Sequence, residues 1–501
     1  DEKRKKDIHQ LIDKKDFMVI FSRNRYKIMA VSLGILAAFA ACTKVWDDHD
    51  KVTDPNLKNN LYQAISANAS LSTFSQLLTK TGYDKIIASS KTYTVWAPTN
   101  QALQTLDPAI VNDTAKLKLF VGNHISNQSY IEGAGAPSQR IQMLNGKYMN
   151  VTGTTFDSAN IVSANQYAAN GLFHTVDKFI PVYLNCWQFM QSTTATPLMQ
   201  TFLLSLNYIR FDSTKATQTG VDPNTGRPVW DSTNGKIPSN HFLDLTYNVS
   251  DETGQYTLFL MNDASYTTEL NKITPYFKTS TPDSTNALSG FHLVKDLAYK
   301  GLYTLAQLPD TLVSQFGVKT PITKSAIVAS YRTSNGIVYI MNSVNFTFTN
   351  KFLPIVIQGE NPTGFAADRT ANTFYRIRKD TSTGRVFNDI YIQNYNYASY
   401  WVNYLVKGVY STKFNASWVA VNDVQTTPLW QQRLGIDSAN NTTNLPYVTV
   451  AYGNYAEVPL GQLNITAYRN VNLYVIGPTT ASSTGGANTI TLDYIKLTPL
   501  P

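Results

Sequence analysis

The residues best suited to catalysis or metal binding are two histidines, His124 and His174. An imidazole pair can hold a metal ion or transfer a proton, but a zinc site needs three or four His, Cys or carboxylate ligands. No third His, Cys or carboxylate stands at ligand spacing from either histidine. We therefore expect a structural pair in the protein interior, with no metal site and no cofactor.

Motifs that mark the common enzyme classes are missing from the sequence. It has no Gly-rich phosphate loop, no His-Glu-x-x-His and no Gly-x-Ser-x-Gly. Acidic residues number 34 of 501, and no carboxylate pair in a strand-end context resembles that of a glycoside hydrolase. We therefore predict that the protein has no catalytic residues and is not an enzyme.

Cys42 stands at the end of a targeting segment. It follows Ala40 and Ala41, which close the uncharged stretch 28–41, and three basic residues precede that stretch. The stretch is too short to span a bilayer and is typical of a signal peptide. Phe-Ala-Ala-Cys resembles a bacterial lipobox, which implies an upstream segment and signal peptide over residues 1–41 and a lipid on Cys42. The alternative is an ordinary signal peptide with a chance cysteine.

The residues after Cys42 are acidic, and the rest of the chain carries little net charge. Residues 42–56 include Asp47, Asp48 and Asp50, which resemble the signal that sends some lipoproteins to the outer face of the outer membrane. Residues 42–56 are also expected to form a solvated acidic tether, which is compatible with that signal. The formal charge is +8, but residues 1–42 contain nine basic and five acidic residues, which leaves 33 and 29 for the remainder. Without a basic stripe, the sequence argues against nucleic-acid binding.

Two segments of the chain share motifs in the same order. The pairs are NLYQAI at 60–65 with NCWQFM at 185–190, TVWAPTNQAL at 94–103 with TLFLMNDASY at 257–266, and NGLFHTVD at 170–177 with NGIVYIMN at 335–342. We interpret them as a diverged internal duplication. The offset rises from 125 to 163 residues between the first two pairs, so the second copy holds an insertion. We place it at 211–240, whose polar, turn-rich composition predicts a long surface loop or hairpin.

The first copy resembles the fasciclin domain, a compact α/β module of extracellular adhesion proteins. The resemblance rests on YTVWAPTNQAL at 93–103, LKLFVGNHISNQSY at 117–130 and NGLFHTVDKFIP at 170–181. It implies a fasciclin-like α+β domain over residues 57–184 and a degenerate second one over 185–350, which contains the inserted loop 211–240. Within the first, Thr94–Trp96 and Leu172–Val176 are predicted strands, and Thr99 is expected to cap a helix.

The duplication also assigns the remaining reactive groups to the core. A buried stripe is predicted from apolar residues at helical spacing, namely Leu61, Ile65, Leu71, Phe74 and Leu77. Cys186 aligns with the first of these, which favours a small buried hydrophobe over a nucleophile. Leu297 and Tyr339 stand in the second copy where the first has its two histidines. Because both histidines are replaced together, we expect them to be partners across the core.

From residue 351 onward, short strand-like runs alternate with turns, which is typical of an all-β sandwich. Residues 399–423 are expected to form two or three antiparallel strands around Lys407-Gly408, and residues 457–478 another pair. The G-V-Y turn at 408–410 and the DYIKL run at 493–497 resemble the jelly-roll, galactose-binding-like sandwich of carbohydrate-binding modules. The predicted fold class is thus multi-domain: two α+β fasciclin-like domains followed by an all-β jelly-roll sandwich over 351–501.

The C-terminal domain is rich in the residues that bind sugars. Sugar binding uses flat aromatic faces for the apolar side of a ring, and amides or carboxylates for its hydroxyls. About half of the aromatic rings are expected to pack in a core instead. The candidates for carbohydrate binding are those in turn-like contexts, namely Tyr395, Tyr397, Trp430, Tyr452 and Tyr455.

Two functions are compatible with these features. The sandwich and the lipobox favour a cell-surface lipoprotein, lipid-anchored in the outer membrane and facing outside, which binds glycan for an outer-membrane polysaccharide uptake system. Its expected partners are a polysaccharide, a TonB-dependent transporter and a starch-binding-type lipoprotein. The fasciclin resemblance favours the alternative, an adhesin or scaffold lipoprotein whose fasciclin domains make protein–protein contacts.

Overall fold

The computed structural model describes residues 55–501 except 134, 136, 369, 394–396, 442 and 485. The predicted signal peptide, Cys42 and residues 43–54 of the acidic tether lie outside the described residues. The chain divides into two compact units, one ending at Val182 and the other spanning Tyr183–Pro501. Within the described ranges, no helix is long and apolar enough to cross a membrane.

The first unit is an α+β domain. Its helices are α1 Leu61–Ser66, α2 Ser72–Thr81, α3 Tyr83–Ile87, α4 Pro108–Val111 and α5 Thr114–Gly122, with 3₁₀ turns at Pro55–Lys58, Ala69–Leu71 and Ala102–Thr105. Its strands are β1 Tyr93–Pro98, β2 Ile125–Ser126, β3 Gln139–Gln142, β4 Tyr148–Val151, β5 Thr155–Phe156, β6 Ala159–Ala168 and β7 Gly171–Val176. They form one sheet in the order β2-β1-β7-β6-β5-β4-β3, in which β1 and β7 run parallel. The two strands predicted here are confirmed.

Local sequence explains where α1 begins and what it buries. The Asn60 side chain accepts a hydrogen bond from Gln63 N–H, and Gln63 Oε1 accepts one from Asn60 N–H, which forms a capping box. The predicted stripe is buried at every position, at Leu61, Ile65, Leu71, Phe74 and Leu77. Thr99 Oγ1 does accept from Ala102 N–H at 3.1 Å, but the segment that follows is a 3₁₀ turn and not the expected α-helix.

The second unit begins with another α+β domain. Its helices are α6 Cys186–Ser192, α7 Pro197–Ser205, α8 His241–Leu245, α9 Asp263–Ile273 and α10 Pro282–Val294, with 3₁₀ turns at Thr274–Phe277 and Lys324–Ala326. Its strands are β8 Asn207–Phe211, β9 Gln218–Val221, β10 Pro228–Trp230, β11 Lys236–Asn240, β12 Tyr256–Met261, β13 Ala298–Lys300, β14 Thr311–Val313, β15 Lys319–Pro321, β16 Ile327–Thr333 and β17 Gly336–Met341. The main sheet has the order β13-β12-β17-β16, again with a central parallel pair, β12 and β17.

The two α+β domains share the same backbone contacts around their central strands. Trp96 N–H donates to His124 O, and Phe259 N–H donates to Leu297 O, both at 2.9 Å. The α1 capping box is repeated at the start of α6. A glycine opens β7 and β17 alike, because a Cβ there would lie 2.1 and 2.0 Å, respectively, from a carbonyl oxygen of the neighbouring strand. These contacts place Leu297 at the position of His124, as the sequence alignment predicts.

The predicted insertion forms two β-hairpins, one nested inside the other. Strands β8 and β11 pair in antiparallel register from Asn207↔Asn240 to Phe211↔Lys236, and β9 pairs with β10 beyond them. The hairpin interpretation of 211–240 is therefore confirmed, and its first strand starts at Asn207. We call residues 207–240 the ribbon.

The rest of the second unit is all-β after one short helix, α11 Phe348–Lys351. Its strands are β18 Ile355–Gln358, β19 Gly364–Phe365, β20 Thr373–Lys379, β21 Val386–Gln393, β22 Trp401–Val409, β23 Lys413–Val419, β24 Gln431–Ile436, β25 Val448–Thr449, β26 Val458–Asn464, β27 Arg469–Ile476, β28 Thr489–Leu492 and β29 Tyr494–Pro499, with a 3₁₀ turn at Thr370–Asn372. The sheets have the orders β18-β29-β23-β26, β19-β22-β27-β24-β25 and β20-β21-β28. Side chains of these sheets share one apolar core.

Two strand pairings expected from the sequence are wrong. Strands β22 and β23 follow each other in the chain but belong to different sheets, and the same is true of β26 and β27. The chain turns after Val409, whereas Gly408 has a φ of 64° and lies at a bulge within β22. Each expected hairpin is thus a corner that carries the chain from one layer of the sandwich to the other.

An aromatic junction joins the second α+β domain to the sandwich. The Tyr410 ring contacts Phe277 and Phe352 edge-on, with centroids 5.7 and 5.1 Å apart. Beneath the rings, Lys351 Nζ donates to Asp296 Oδ2 at 2.7 Å, and both side chains are buried. Backbone bonds add to the junction, because Ser411 N–H donates to Tyr276 O at 2.9 Å. The two domains therefore form one continuous packed body.

Candidate functional site

The two histidines are fully buried, and each is held by backbone groups. His124 Nδ1 contacts Phe120 O at 3.0 Å, while its Nε2 accepts a hydrogen bond from Ile180 N–H at 3.1 Å. His174 Nε2 contacts Tyr130 O at 3.0 Å, and its Nδ1 accepts from Asn165 N–H at 3.2 Å. Both rings are therefore neutral tautomers with one nitrogen donating and the other accepting.

Burial keeps these imidazoles uncharged. Desolvation lowers the pKa of His124 and of His174 to about 4 in each case, because the charged form loses its hydration. Two rings stacked on each other, Phe156 and Trp96, lie between them, since Phe156 contacts His124 and Trp96 contacts His174. The structural role predicted for the histidines agrees with this geometry. The expected direct partnership is wrong, because each histidine hydrogen-bonds to the backbone and not to the other.

Cys186 is buried at the start of α6, with its Sγ 3.2 Å from Thr333 Oγ1. Burial raises the pKa of the thiol to about 12, so the reactive thiolate is absent at neutral pH. The interpretation as a small buried hydrophobe is confirmed. Among the described residues, no group of three or more His, Cys, Asp or Glu side chains could hold a metal ion.

Trp430 does not fit the carbohydrate-binding role predicted for it. Its side chain is 1% exposed and packs in the sandwich core. The residue immediately precedes β24, where Gln432 and Leu434 are also buried. Trp430 shares their face by the two-residue alternation of a strand. The turn-like sequence around it concealed this inward face, and Trp430 is withdrawn from the candidates.

The other predicted rings are spread over separate environments. Tyr452 is 53% exposed and forms an isolated β-bridge with Asn422, whereas Tyr455 is half-buried and meets Phe387 edge-on with centroids 6.2 Å apart. Tyr397 is half-buried and packs edge-on against Tyr400 at 5.2 Å. Tyr395 lies outside the described residues. The described members of the predicted set therefore pack against different neighbours.

A different pair of rings borders a cleft at the edge of the sandwich. Phe365 in β19 is 37% exposed, and Tyr375 in β20 is 57% exposed. The cleft has a volume of about 420 Å³ and is lined by both rings together with Ala367, Asp368, Thr370 and Thr373. We call this site the aromatic cleft. Its two walls belong to different sheets, since β19 pairs with β22 and β20 pairs with β21.

The polar side of the aromatic cleft is organised by Asp368. Its Oδ1 accepts hydrogen bonds from Thr370 N–H at 3.0 Å and Thr370 Oγ1 at 2.7 Å. These bonds lower the pKa of the carboxyl group, so it is ionised at neutral pH. The carboxylate is thereby held in one orientation in a cleft that two exposed rings also line. Such a group accepts hydrogen bonds from hydroxyls, while the rings offer flat apolar faces.

Phe365 and Tyr375 are not among the residues predicted from the sequence. Phe365 stands in TGFAAD between small residues, which is a signal for an exposed ring. Tyr375 was hidden by its neighbours, because the run FYRIR shows two adjacent rings and only the strand register tells them apart. In that register Phe374 faces Tyr391 and lies on the opposite side of β20 from Tyr375.

One protein-family model matches part of the first unit. Residues 69–182 match the model of the fasciclin domain. A search of curated proteins gives no significant match. Among solved structures, the chain is similar to a fasciclin domain pair from the insect cell adhesion molecule fasciclin I, at 15% identity and a TM-score of 0.22, covering 56% of this chain and 99% of that one.

Carbohydrate-binding modules are also among the similar structures. One is a family 35 module from Clostridium thermocellum, at 15% identity and a TM-score of 0.21, covering 30% of this chain and 99% of that one. Another is the C-terminal family 6 module of a laminarinase from Zobellia galactanivorans, at 11% identity and a TM-score of 0.20, covering 29% and 99%. The predicted fold class, two fasciclin-like domains followed by an all-β sandwich, is confirmed.

Proposed function

We propose that the protein is a non-catalytic glycan-binding lipoprotein and that the aromatic cleft is its binding site. The observation that carries this proposal is a single cleft lined by two exposed rings, Phe365 and Tyr375, and by the oriented carboxylate of Asp368. A neutral sugar carries no charge that the protein could pair. Its affinity therefore depends on contact between its C–H groups and aromatic rings of the protein and on directed hydrogen bonds. The cleft volume of about 420 Å³ is within the range of small-molecule sites.

The test is binding of the full chain to neutral polysaccharides, such as mannan, xylan, β-1,3-glucan and starch, by affinity gel electrophoresis and calorimetry. Replacing one ring, in Tyr375→Ala or Phe365→Ala, is expected to cost about 1–3 kcal/mol of binding free energy. The matched control is Phe374→Ala, because Phe374 is 45% exposed on the other side of the same strand. Tyr452→Ala tests the site that the sequence favoured. Equal loss in Phe374→Ala and Tyr375→Ala, or loss only in Tyr452→Ala, would rule out the aromatic cleft.

The proposed location is the outer face of the outer membrane, with a lipid on Cys42 as anchor. Support comes from the Ala-Ala-Cys sequence and the acidic residues that follow it. Cys42→Ser is expected to release the protein from membranes or to leave an uncleaved precursor. Normal processing and membrane retention of that variant would contradict the anchor.

In this location the protein would serve a polysaccharide uptake system, alongside a TonB-dependent transporter and a starch-binding-type lipoprotein. Deleting the gene is then expected to slow growth on the bound polysaccharide, and Tyr375→Ala is expected to slow it similarly. Unchanged uptake by the Tyr375→Ala strain would argue against this role while leaving glycan binding itself intact.

A second candidate function, an adhesin or scaffold, is favoured by the ribbon. Four of its side chains are large, apolar and 45–62% exposed, namely Ile209, Phe211, Val221 and Val229. Exposed apolar groups gathered on one element mark protein-binding surfaces. Shortening the ribbon by replacing residues 213–234 with Asn-Gly is expected to leave glycan binding unchanged. If the variant loses a co-purifying transporter and the wild-type chain binds no polysaccharide, the scaffold function is the correct one.

A further inference from the structure

The first fasciclin-like domain contains a cleft that is separate from the aromatic cleft, and its lining includes Asn165, whose backbone N–H donates to His174. Its volume is about 500 Å³, which is typical of ligand-binding sites. We call it the amide cleft, because its lining includes Asn59, Ala64, Asn68, Asn165, Gln166 and Tyr167. The lining has no charged side chain, and the Tyr167 ring at its rim is 46% exposed.

Hydrogen bonds within the domain fix the wall of the amide cleft. Asn165, at a φ of 55° on a bulge of β6, accepts from Glu132 N–H at 2.9 Å and donates to Glu132 O. Gln166 Nε2 donates to Thr175 Oγ1 at 2.9 Å, and Asn68 Oδ1 accepts from a backbone N–H of the following turn. Within the described part of the chain, no hydrogen bond engages Gln166 Oε1, Asn68 Nδ2 or the Asn59 side chain. These groups are therefore open to a ligand.

The equivalent place in the second fasciclin-like domain is filled. Ala64 corresponds to Phe189, because their N–H groups donate to the capping asparagines Asn60 and Asn185 at 2.9 and 2.8 Å. Gln166 corresponds to Tyr331, which has the same register position relative to the glycine that opens the next strand.

Phe189 and Tyr331 pack against each other with ring centroids 4.5 Å apart. Two rings therefore meet where the first domain has a methyl group and an amide. The same backbone framework leaves a cleft in one domain and packs rings into it in the other.

We propose that the amide cleft is a second binding site and that its ligand is a neutral saccharide. The amide groups of Asn and Gln donate and accept hydrogen bonds in one plane, so they can bind neighbouring hydroxyl groups of a sugar ring. The Tyr167 ring supplies a flat face for the C–H side of a sugar. A charged ligand would find no counter-ion here. An apolar peptide anchor is disfavoured, because four of the eight lining side chains are amides and the apolar ones include only the small Ala64 and Ala67 besides the two rings of Tyr167 and Phe173.

The experiment uses the full chain with Phe365→Ala and Tyr375→Ala combined, so that the aromatic cleft is silenced. The probes are neutral hexasaccharides of the manno, xylo, cello, malto and β-1,3-gluco series, measured by calorimetry and saturation-transfer NMR. One probe is expected to bind saturably, with little dependence on salt. Adding Ala64→Phe, which supplies the ring present in the second domain, is expected to weaken binding at least tenfold.

A second variant keeps the test valid if the added ring disturbs packing. Tyr167→Ala removes an exposed ring and is also expected to weaken binding at least tenfold, with the unfolding temperature unchanged. The matched control is Tyr331→Ala, which removes a 41% exposed ring at the equivalent place in the second domain. This variant is expected to leave the affinity for the probe unchanged. Binding of no probe by the silenced chain would overturn the proposal, and so would unchanged affinity in both Ala64→Phe and Tyr167→Ala. Either result leaves the aromatic cleft to stand or fall on its own variants.

Discussion

The two fasciclin-like domains keep the same backbone contacts but differ in the polar groups at their centres. In the first, Asn123 is fully buried, donates to Ile180 O at 3.2 Å and accepts from Asn145 at 2.8 Å. In the second, the equivalent position holds Asp296, which is equally buried and pairs with Lys351 at 2.7 Å. A neutral amide is thus satisfied by its own domain, whereas a carboxylate needs a cation from the helix that leads into the sandwich.

This difference shows how a fold can change its attachment to its neighbours without changing its framework. The first domain satisfies its interior with neutral histidines and amides. The second has Leu297 and Tyr339 in place of the two histidines and holds a buried carboxylate that pairs with Lys351 at the junction. We therefore expect His124 and His174 to make the first domain sensitive to acid, and we expect the stability of the second to depend on Lys351.

The largest effect is expected from breaking the buried ion pair. Lys351→Met leaves the Asp296 carboxylate without a counter-ion in the interior, which is expected to cost about 3–5 kcal/mol of unfolding free energy. Adding Asp296→Asn, the amide-like arrangement of the first domain, is expected to recover much of that loss. Denaturant unfolding of the second unit provides the measurement. The control is Arg469→Met, whose partner Asp437 is exposed, where about 1 kcal/mol or less is expected.

The next effect is a loss of stability of the first domain in acid. The folded pKa values of His124 and His174, about 4, lie below the unfolded value of 6.5, so the unfolded state binds more protons between these limits. Stability is therefore complete above about pH 6.5 and falls as the pH drops towards 4, by roughly 2 kcal/mol per histidine between pH 7 and 4.5.

Calorimetric unfolding at several pH values measures this loss, and the double variant His124→Leu/His174→Tyr supplies the comparison. It carries the residues of the second domain and has no imidazole at either position. A double variant with the same pH dependence as the parent would show that other groups cause the acid sensitivity.

A smaller effect on stability tests whether His124 and His174 contribute independently or interact directly. His124→Leu leaves the buried Ile180 N–H without its acceptor and removes one of the contacts of Phe120 O, which is expected to cost about 2 kcal/mol. Because stacked rings separate the two imidazoles, the costs of replacing His124 and His174 are expected to add within about 0.5 kcal/mol. A double-mutant cycle provides the measurement. A coupling energy well above that value would restore the direct partnership expected from the sequence.

In the native protein, no reaction of the Cys186 thiol with a thiol reagent is expected. In the Cys42→Ser variant, a thiol reagent is expected to label Cys186 only after unfolding, because the thiol is buried and its pKa is raised to about 12. The rate of labelling then reports on opening of the second unit alone. Fast labelling without denaturant would mean that α6 opens in the native state.

Features that depend on neighbouring residues were predictable from the sequence. The strands at Thr94–Trp96 and Leu172–Val176, the buried stripe that begins at Leu61 and the hairpins of the ribbon all follow from local spacing and turn composition. The family resemblance then supplied the order of the elements in the first domain. The internal alignment identified Leu297 as the counterpart of His124.

Features that depend on distant partners were not predictable in the same way. Whether Trp430 is inside or outside the sandwich depends on the sheet that faces it. Gly408 was assigned to a hairpin because a bulge and a turn use the same residue type. The amide cleft depends on Ala64 being small where Phe189 is large, which a sequence shows only once the register of both domains is known.

The aromatic junction at Tyr410 determines how the sandwich can meet its ligand. A binding module on a flexible linker samples many orientations, and its effective concentration towards a second site falls as the linker lengthens. Here only three residues separate α11 from β18, and Phe352, the first of them, is buried among the junction rings. The sandwich therefore cannot swing over a wide range, but its orientation relative to the second fasciclin-like domain is fixed. Any glycan bound in the aromatic cleft is held at a fixed angle to that domain.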